Sequence, residues 1–336
     1  MALRLTEMKV AVFGSKPYDR ESLTKANEDH GQELVFIRPR LSPETAELAR
    51  GCDAVCTFVN DDCGPESLER LHELGVRIVA LRCAGFDRVD IETARRLGMT
   101  VVRVPSYSPH AIAEHALALV LALNRKIYRS YNRVREGNFS LNGLLGWDLY
   151  GKTVGLVGTG NIGYWAAKAF HGLGCEVIAH DLRPNEKVRE LGVDFVSLEE
   201  LLNRSKVVSL HVPLVASTYH LMNAERIALM RHDALLINTS RGGLLDTTAA
   251  IDALRHHRLG GLGIDVFEGE GNLFFEDRSL STHVDLDLSV LMALPNVIVT
   301  AHQAFFTEEA LANIGDVTLT NLDQLERGET CANALC

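Results

Sequence analysis

Apolar residues fall into short runs separated by longer stretches of mixed character. Met8–Phe13 (MKVAVF), Leu34–Ile37, Ala54–Phe58 and Ile78–Leu81 read as buried strands. Tyr18–His30 and Pro65–Gly75 between them have helical character. Strands alternating with helices at this spacing predict a parallel sheet covered on both faces. A second series begins after residue 150, with strands expected at Val154–Val157, Val177–His180, Val207–Leu210, Leu235–Asn238, Gly263–Val266 and Val297–Thr300. Two such series predict an α/β protein of two doubly wound parallel-sheet domains.

Val104-Pro105 ends the first series, because proline disfavours continuing a regular element. Ser106–Lys126 then reads as one long helix, with Ser108 able to cap it and Pro109 at its first position. Its run ALALVLAL is apolar on all sides, which predicts burial between domains or subunits. Thr307–Arg327 reads as a final helix. If it returned to the first domain, the second would be an insertion.

Composition narrows the class. The chain has 336 residues, 46% hydrophobic and 23% charged, enough for two ordinary domains and too apolar for disorder. Its formal charge of −10 disfavours nucleic acid and anionic membrane as partners. The longest apolar run, Ala116–Leu123, is too short for a bilayer span. The opening MALRLTEMKV is broken by Arg4, Glu7 and Lys9 and does not read as an export signal. Seven cysteines without a C-x-x-C pair read as reduced thiols, and the expected location is cytoplasmic. No metal site is expected. Cys52, Cys56 and Cys63 lack ordinary zinc spacing, and His110 and His115 lack metalloprotease order.

Gly158-Thr159-Gly160-Asn161-Ile162-Gly163 is G-x-G-x-x-G between a strand (KTVGLV) and a helix (Ile162–Gly172). The next strand, EVIAH, ends at Asp181. That is the full dinucleotide-binding context. Gly158 permits a tight turn, Gly160 lets a pyrophosphate approach the backbone, and Gly163 lets helix and strand pack closely. The helix N-terminus offers free N–H groups to the phosphates. Asp181 can accept the ribose hydroxyls and would repel a 2′-phosphate, so NAD is expected over NADP, with Arg183 softening that preference.

Three residues follow predicted strands of the same series: Arg241 after LLINTS, Glu270 after GIDVFEG and His302 after VIVTA. Ligands of open α/β sheets bind beyond the carboxyl ends of the strands. Guanidinium clamps a carboxylate bidentately. Imidazole serves as a general acid/base near neutrality, and a neighbouring carboxylate favours its charged form. Alone, each would be an ordinary surface or core residue. Together they suit hydride transfer at the carbonyl of an α-keto acid.

Carried by VGTGNIG, INTSRGG, GIDVFEGE and TAHQAF, the chain resembles the D-isomer-specific 2-hydroxyacid dehydrogenase family over nearly its whole length. The spacing of 29 residues from Arg241 to Glu270 and 32 from Glu270 to His302 is similar too. LRCAGFDRVD, VPSYSPHAIAEHALAL, NLFFEDRS and HQAFFT resemble the bacterial fermentative D-lactate dehydrogenases of that family. The resemblance implies Arg241 on the substrate carboxylate, His302 as acid/base and Glu270 paired with it. It implies backbone N–H groups of Ala84 and Gly85 on the carboxylate, Tyr107 touching substrate, and Phe58 and Phe305 walling the pocket. Asp265 would lie near the nicotinamide, and Thr239 and Ser240 on the cofactor side. The implied fold is a flavodoxin-like catalytic domain (residues 1–104 plus 306–336) and a Rossmann NAD-binding domain (105–305), with a cleft between them. The implied reaction is reduction of pyruvate to D-lactate with NADH by a homo-oligomer, a dimer or a tetramer. Preference for glyoxylate, hydroxypyruvate or phenylpyruvate, or a non-catalytic dinucleotide sensor, are the alternatives. The acidic stretch Gly271–Leu294 is expected to be a solvated surface loop.

Overall fold

Val10 and Val12 point to one side of the first strand, and Ala11 and Phe13 to the other. That alternation, with all four buried, requires helices on both faces. The structure, a computed structural model, describes residues 8–281 and 285–336. Residues 1–7, where an export signal was not expected, and part of the acidic stretch lie outside the described residues. The chain divides into two compact units, one running up to Ser108 and resuming at Phe306–Cys336, the other Pro109–Phe305.

The first unit holds five parallel strands: β1 (Lys9–Val12), β2 (Glu33–Phe36), β3 (Ala54–Thr57), β4 (Ile78–Leu81) and β5 (Thr100–Arg103). Their order is β2-β1-β3-β4-β5, a flavodoxin-like winding that reverses between β1 and β3. Leu23, from the helix Pro17–Ala26, and Leu319 and Leu322, from the helix Glu308–Glu326, close one face. Leu68 and Leu71, from the helix Pro65–Glu73, close the other. Thr307 caps the last helix, its hydroxyl accepting the Ala310 N–H at 3.2 Å.

The second unit holds seven parallel strands: β6 (Thr153–Val157), β7 (Glu176–His180), β8 (Asp194–Phe195), β9 (Val207–Leu210), β10 (Leu235–Asn238), β11 (Gly261–Ile264) and β12 (Val297–Val299). Their order, β12-β11-β10-β9-β6-β7-β8, is the dinucleotide-binding winding with its reversal between β6 and β9. The long helix is Pro109–Arg125. It lies on its own sheet, where a Cβ at Gly263 would come within 3.2 Å of Leu119 and Leu123, and Leu121 stays exposed. Lys126, with φ of +50°, breaks the helix, and Ile127–Arg135 follows as a separate one. Among the described residues no helix is long and apolar enough to cross a membrane. No cluster of His, Cys, Asp or Glu among them could hold a metal ion.

Candidate active site

The glycine turn sits at the reversal between β6 and β9. Gly158 has φ of +98°, and a Cβ there would stand 2.5 Å from the carbonyl oxygen of His211, which follows β9. A Cβ at Gly163 would stand 2.2 Å from the Gly158 carbonyl oxygen. Strand, turn and helix therefore close on each other only through glycine. Gly160 differs. It precedes the helix Asn161–Gly172, and a Cβ there would meet no heavy atom within 4 Å. Its outer side is open, as a phosphate needs.

Asp181 follows β7 and holds this turn. Its Oδ2 accepts the Thr159 N–H at 2.6 Å and the Thr159 hydroxyl at 2.8 Å, and its Oδ1 accepts the Arg183 N–H at 2.9 Å. Burial acts to raise its pKa, but these bonds and nearby His180 hold it below the ordinary value. Two buried polar atoms nearby, Thr239 Oγ1 after β10 and His211 Nδ1 after β9, have no hydrogen-bond partner among the described residues. Orphaned buried groups are rare in a finished interior and common in a site awaiting a ligand. Open Gly160, charged Asp181 and these two orphans fit a dinucleotide. Ser240 is already engaged, its hydroxyl donating to the Leu210 carbonyl at 2.8 Å.

Arg241 follows β10. Its Nη1 donates to the Ser240 carbonyl at 2.7 Å, and its own carbonyl accepts from the Asn238 amide at 2.8 Å. A Cβ at Gly242 would meet the Phe267 carbonyl carbon at 2.2 Å, so the loops after β10 and β11 touch backbone to backbone. The Phe267 N–H in turn donates to Glu270 Oε2 at 2.9 Å. Glu270 Oε1 lies 2.6 Å from His302 Nδ1, with both side chains largely buried. With Nδ1–H given to the carboxylate, Nε2 is the nitrogen that exchanges a proton. It has no hydrogen-bond partner among the described residues.

His302 has φ of +53°, the left-handed region, and its loop is held by Asp265. Asp265 Oδ1 accepts from the Thr300 hydroxyl at 2.5 Å and the Gln303 N–H at 2.9 Å, and Oδ2 accepts the Ala304 N–H at 2.8 Å. The Asp265 carbonyl takes the His302 N–H at 2.6 Å. Burial acts to raise the Asp265 pKa, but hydrogen bonds from His115, Thr300, Ala304 and Gln303 hold it below the ordinary carboxyl value. His115 Nε2 lies 3.0 Å from Thr300 Oγ1, and since that hydroxyl's proton goes to Asp265, the imidazole must donate.

In the first unit, Phe58 follows β3 and Ala84–Gly85 follow β4, all at carboxyl ends of strands. The Phe58 N–H donates to Asp61 at 2.6 Å, and its ring lies 5.0 Å from the guanidinium carbon of Arg82. Arg82 is only 1% exposed and is paired with Asp19 at 3.1 Å. The Ala84 carbonyl accepts from Arg103, and the Tyr107 carbonyl accepts from the Asn313 amide. Phe305, in the second unit, is buried.

Sequence reasoning did not find Arg82, His115 or His211, which support neighbours distant in the chain. His115 and Thr300 are 185 residues apart. It also misjudged Gly271–Leu294. Residues 276–280 are exposed, but Phe274 is buried in the core and the Phe275 ring lies 5.7 Å from that of His302. The FF pair in NLFFEDRS was the available signal, since two adjacent aromatics rarely serve a wholly solvated loop.

Residues 117–304 match the family model described as D-isomer specific 2-hydroxyacid dehydrogenase, NAD binding domain. The chain is 48% identical over 328 residues to the D-lactate dehydrogenase of Escherichia coli, covering 98% of this chain and 100% of that one. It is similar to the solved structure of the pyruvate reductase of Chlamydomonas reinhardtii, with TM-score 0.93 and 43% identity over 99% of this chain and 100% of that one. The NAD+ complex of the D-lactate dehydrogenase from Lactobacillus jensenii superposes with TM-score 0.82 at 33% identity, over 98% and 100% of the two chains. Together with the glycine turn and the Glu270–His302 pair, these likenesses show that the chain belongs to the D-isomer specific 2-hydroxyacid dehydrogenases and is an NAD-dependent enzyme of that family.

Proposed function

We propose that the enzyme interconverts pyruvate and D-lactate. The observation that carries this reading is the 2.6 Å contact between Glu270 and His302, which leaves imidazole Nε2 to face a substrate oxygen. The likeness to enzymes named D-lactate dehydrogenase and pyruvate reductase favours pyruvate among the keto acids.

Arg241 clamps the substrate carboxylate through its guanidinium fork. The His302 imidazole gives its Nε2 proton to the carbonyl oxygen, and the Glu270 carboxylate holds the ring through Nδ1. NADH, when bound, supplies the hydride that the carbonyl carbon receives. The turn at Gly158–Gly163, through Thr159, Gly160, Asn161 and Ile162, holds the pyrophosphate, and Asp181 the ribose. Asp265 keeps His302 in place. Phe58, Ala84, Gly85, Tyr107 and Phe305 are the proposed substrate contacts. In this reading the first unit is the catalytic domain and the second the NAD-binding domain, which the family match inside the second unit supports.

The protein acts as a homo-oligomer, a dimer or a tetramer, in the cytoplasm. Apolar side chains after the long helix stand in solvent in the single chain, with Phe139 75% and Leu145 88% exposed, alongside Ile127, Tyr131 and Leu141. Such a patch favours a second copy as its cover. Light scattering of the wild type and of Leu141→Asp/Leu145→Asp tests this, and a monomeric wild type would end it.

The test of the activity is NADH oxidation with pyruvate, glyoxylate, hydroxypyruvate and phenylpyruvate in parallel. Pyruvate should be the fastest and should yield D-lactate. His302→Ala should lower turnover roughly 10²–10⁴-fold with NADH affinity retained. A faster rate on another keto acid would overturn the substrate, and NADH binding without turnover on any would overturn the enzyme reading in favour of a sensor.

A further inference from the structure

Glu270 begins a tight turn, Glu270–Asn272, whose exit is fixed by its own carbonyl, which accepts the N–H groups of Leu273 and Phe274 at 2.9 Å each. Phe274 then enters the core. The next residue, Phe275, turns back with φ of +66°, a conformation that a bulky aromatic residue rarely adopts. Its half-buried ring comes to rest 5.7 Å from the His302 imidazole, at 39° to it. His302 itself has φ of +53°. Both members of this contact thus sit on left-handed backbone, and such conformations persist where the surroundings impose them, often at functional sites.

The Glu270 hydrogen bond fixes one point of the imidazole, Nδ1, but the ring can still swing about that bond. A second contact is needed to aim Nε2. We propose that Phe275 is that contact, a positioning residue that braces one face of the His302 ring and shields it from water. This rests on His302 being the acid/base. The acidic stretch after Glu270 thereby has a part in the reaction: one segment supplies both the carboxylate that holds the imidazole at Nδ1 and the ring that aims it. Proton transfer depends steeply on such alignment, and excluding water strengthens the ion pair beside it.

Phe275→Asn is the informative variant, because asparagine accepts left-handed backbone and lacks the ring. Its kcat should fall about 10- to 100-fold, with KM for pyruvate within about twofold and NADH affinity unchanged. Inactivation by diethyl pyrocarbonate, which acylates unprotonated imidazole, should quicken several-fold. Loss of activity is the readout, since the chain has 13 His. Phe275→Tyr should restore both properties. If Phe275→Asn does not fold, Phe275→Leu, which keeps apolar bulk without an aromatic face, should show the same two changes in smaller degree. Wild-type kcat and wild-type inactivation rate in a folded ring-less variant would overturn the proposal, as would a fall in kcat without faster inactivation. Failure of the underlying reading looks different: His302→Ala would then turn over as fast as wild type, whatever Phe275 does.

Discussion

The Asp265 carboxylate accepts the backbone N–H of Ala304 at 2.8 Å, two residues beyond His302. With its bonds to Thr300 and Gln303 it brackets the imidazole from both sides in sequence. Asp265 is 1% exposed, so its charge is spent within the loop. Asp265→Asn removes one acceptor oxygen and the charge, leaving a buried donor unmet. It should lower kcat by up to about 10²-fold through misplacement of His302 and lower stability at pH 7 by about 1–3 kcal/mol. The folded carboxyl titrates below its ordinary value of 3.8. Its stabilisation is therefore complete above that value and is lost as pH falls through the folded one. Denaturant titrations of both proteins should accordingly converge in acid. A constant gap down to pH 3 would show that the carboxylate charge is not what holds the loop.

Gly160 and Gly163 lie three residues apart in one motif, and alanine at each should weaken NADH binding but only Gly163→Ala should cost stability. At Gly163 the new Cβ would sit 2.2 Å from the Gly158 carbonyl oxygen, a backbone atom that cannot yield without opening the turn. Gly163→Ala should cost roughly 1–3 kcal/mol of stability and weaken NADH binding as well. At Gly160 the Cβ meets nothing within 4 Å, and φ of −63° suits any residue. Gly160→Ala should melt within a degree or two of wild type yet bind NADH poorly, because the methyl occupies the phosphate approach. Melting curves and NADH fluorescence titration separate the two. Undiminished affinity in Gly160→Ala would place the phosphates elsewhere.

Buried parallel strands announce themselves as apolar runs, and for that reason β1, β3 and β4 and most of the second sheet were legible; β2 was legible by its run LVFI as well, though as an edge strand it is half-buried rather than buried. The two strands missed are of another kind. Asp194–Phe195 is two residues long at a sheet edge, and Thr100–Arg103 begins and ends in polar residues. The glycine turn was legible because its constraint is steric and local. That Arg241, Glu270 and His302 each follow a strand was legible because β10, β11 and β12 before them are apolar runs. What stayed hidden is support across long sequence separation: Arg82 under Phe58, and His115 behind Thr300. No local pattern distinguishes a histidine that donates to a distant hydroxyl from one that is merely on a helix. The Phe275 contact was hidden differently, because acidic neighbours at 276 and 277 mark the segment as solvated while its backbone turns one ring inward.

His211 joins the glycine turn to acid stability. It is buried, with Nε2 3.0 Å from the Ser209 hydroxyl and Nδ1 unpartnered among the described residues. Burial pushes its pKa down from 6.5 to about 4. In the unfolded chain the imidazole takes a proton near 6.5, while in the folded chain it stays neutral until about 4. The unfolded state therefore binds more protons over that interval, and stability falls as pH falls. At about 1.4 kcal/mol per pH unit, the loss reaches roughly 3 kcal/mol by pH 4. His211→Gln cannot titrate, so its stability should decline less steeply than that of wild type between pH 6.5 and 4, even if it is less stable at pH 7. Urea titrations at half-unit steps measure the difference in slope. Parallel curves would mean that folded His211 accepts a proton in this range, and the site around Gly158 would then carry a charge that its burial does not suggest.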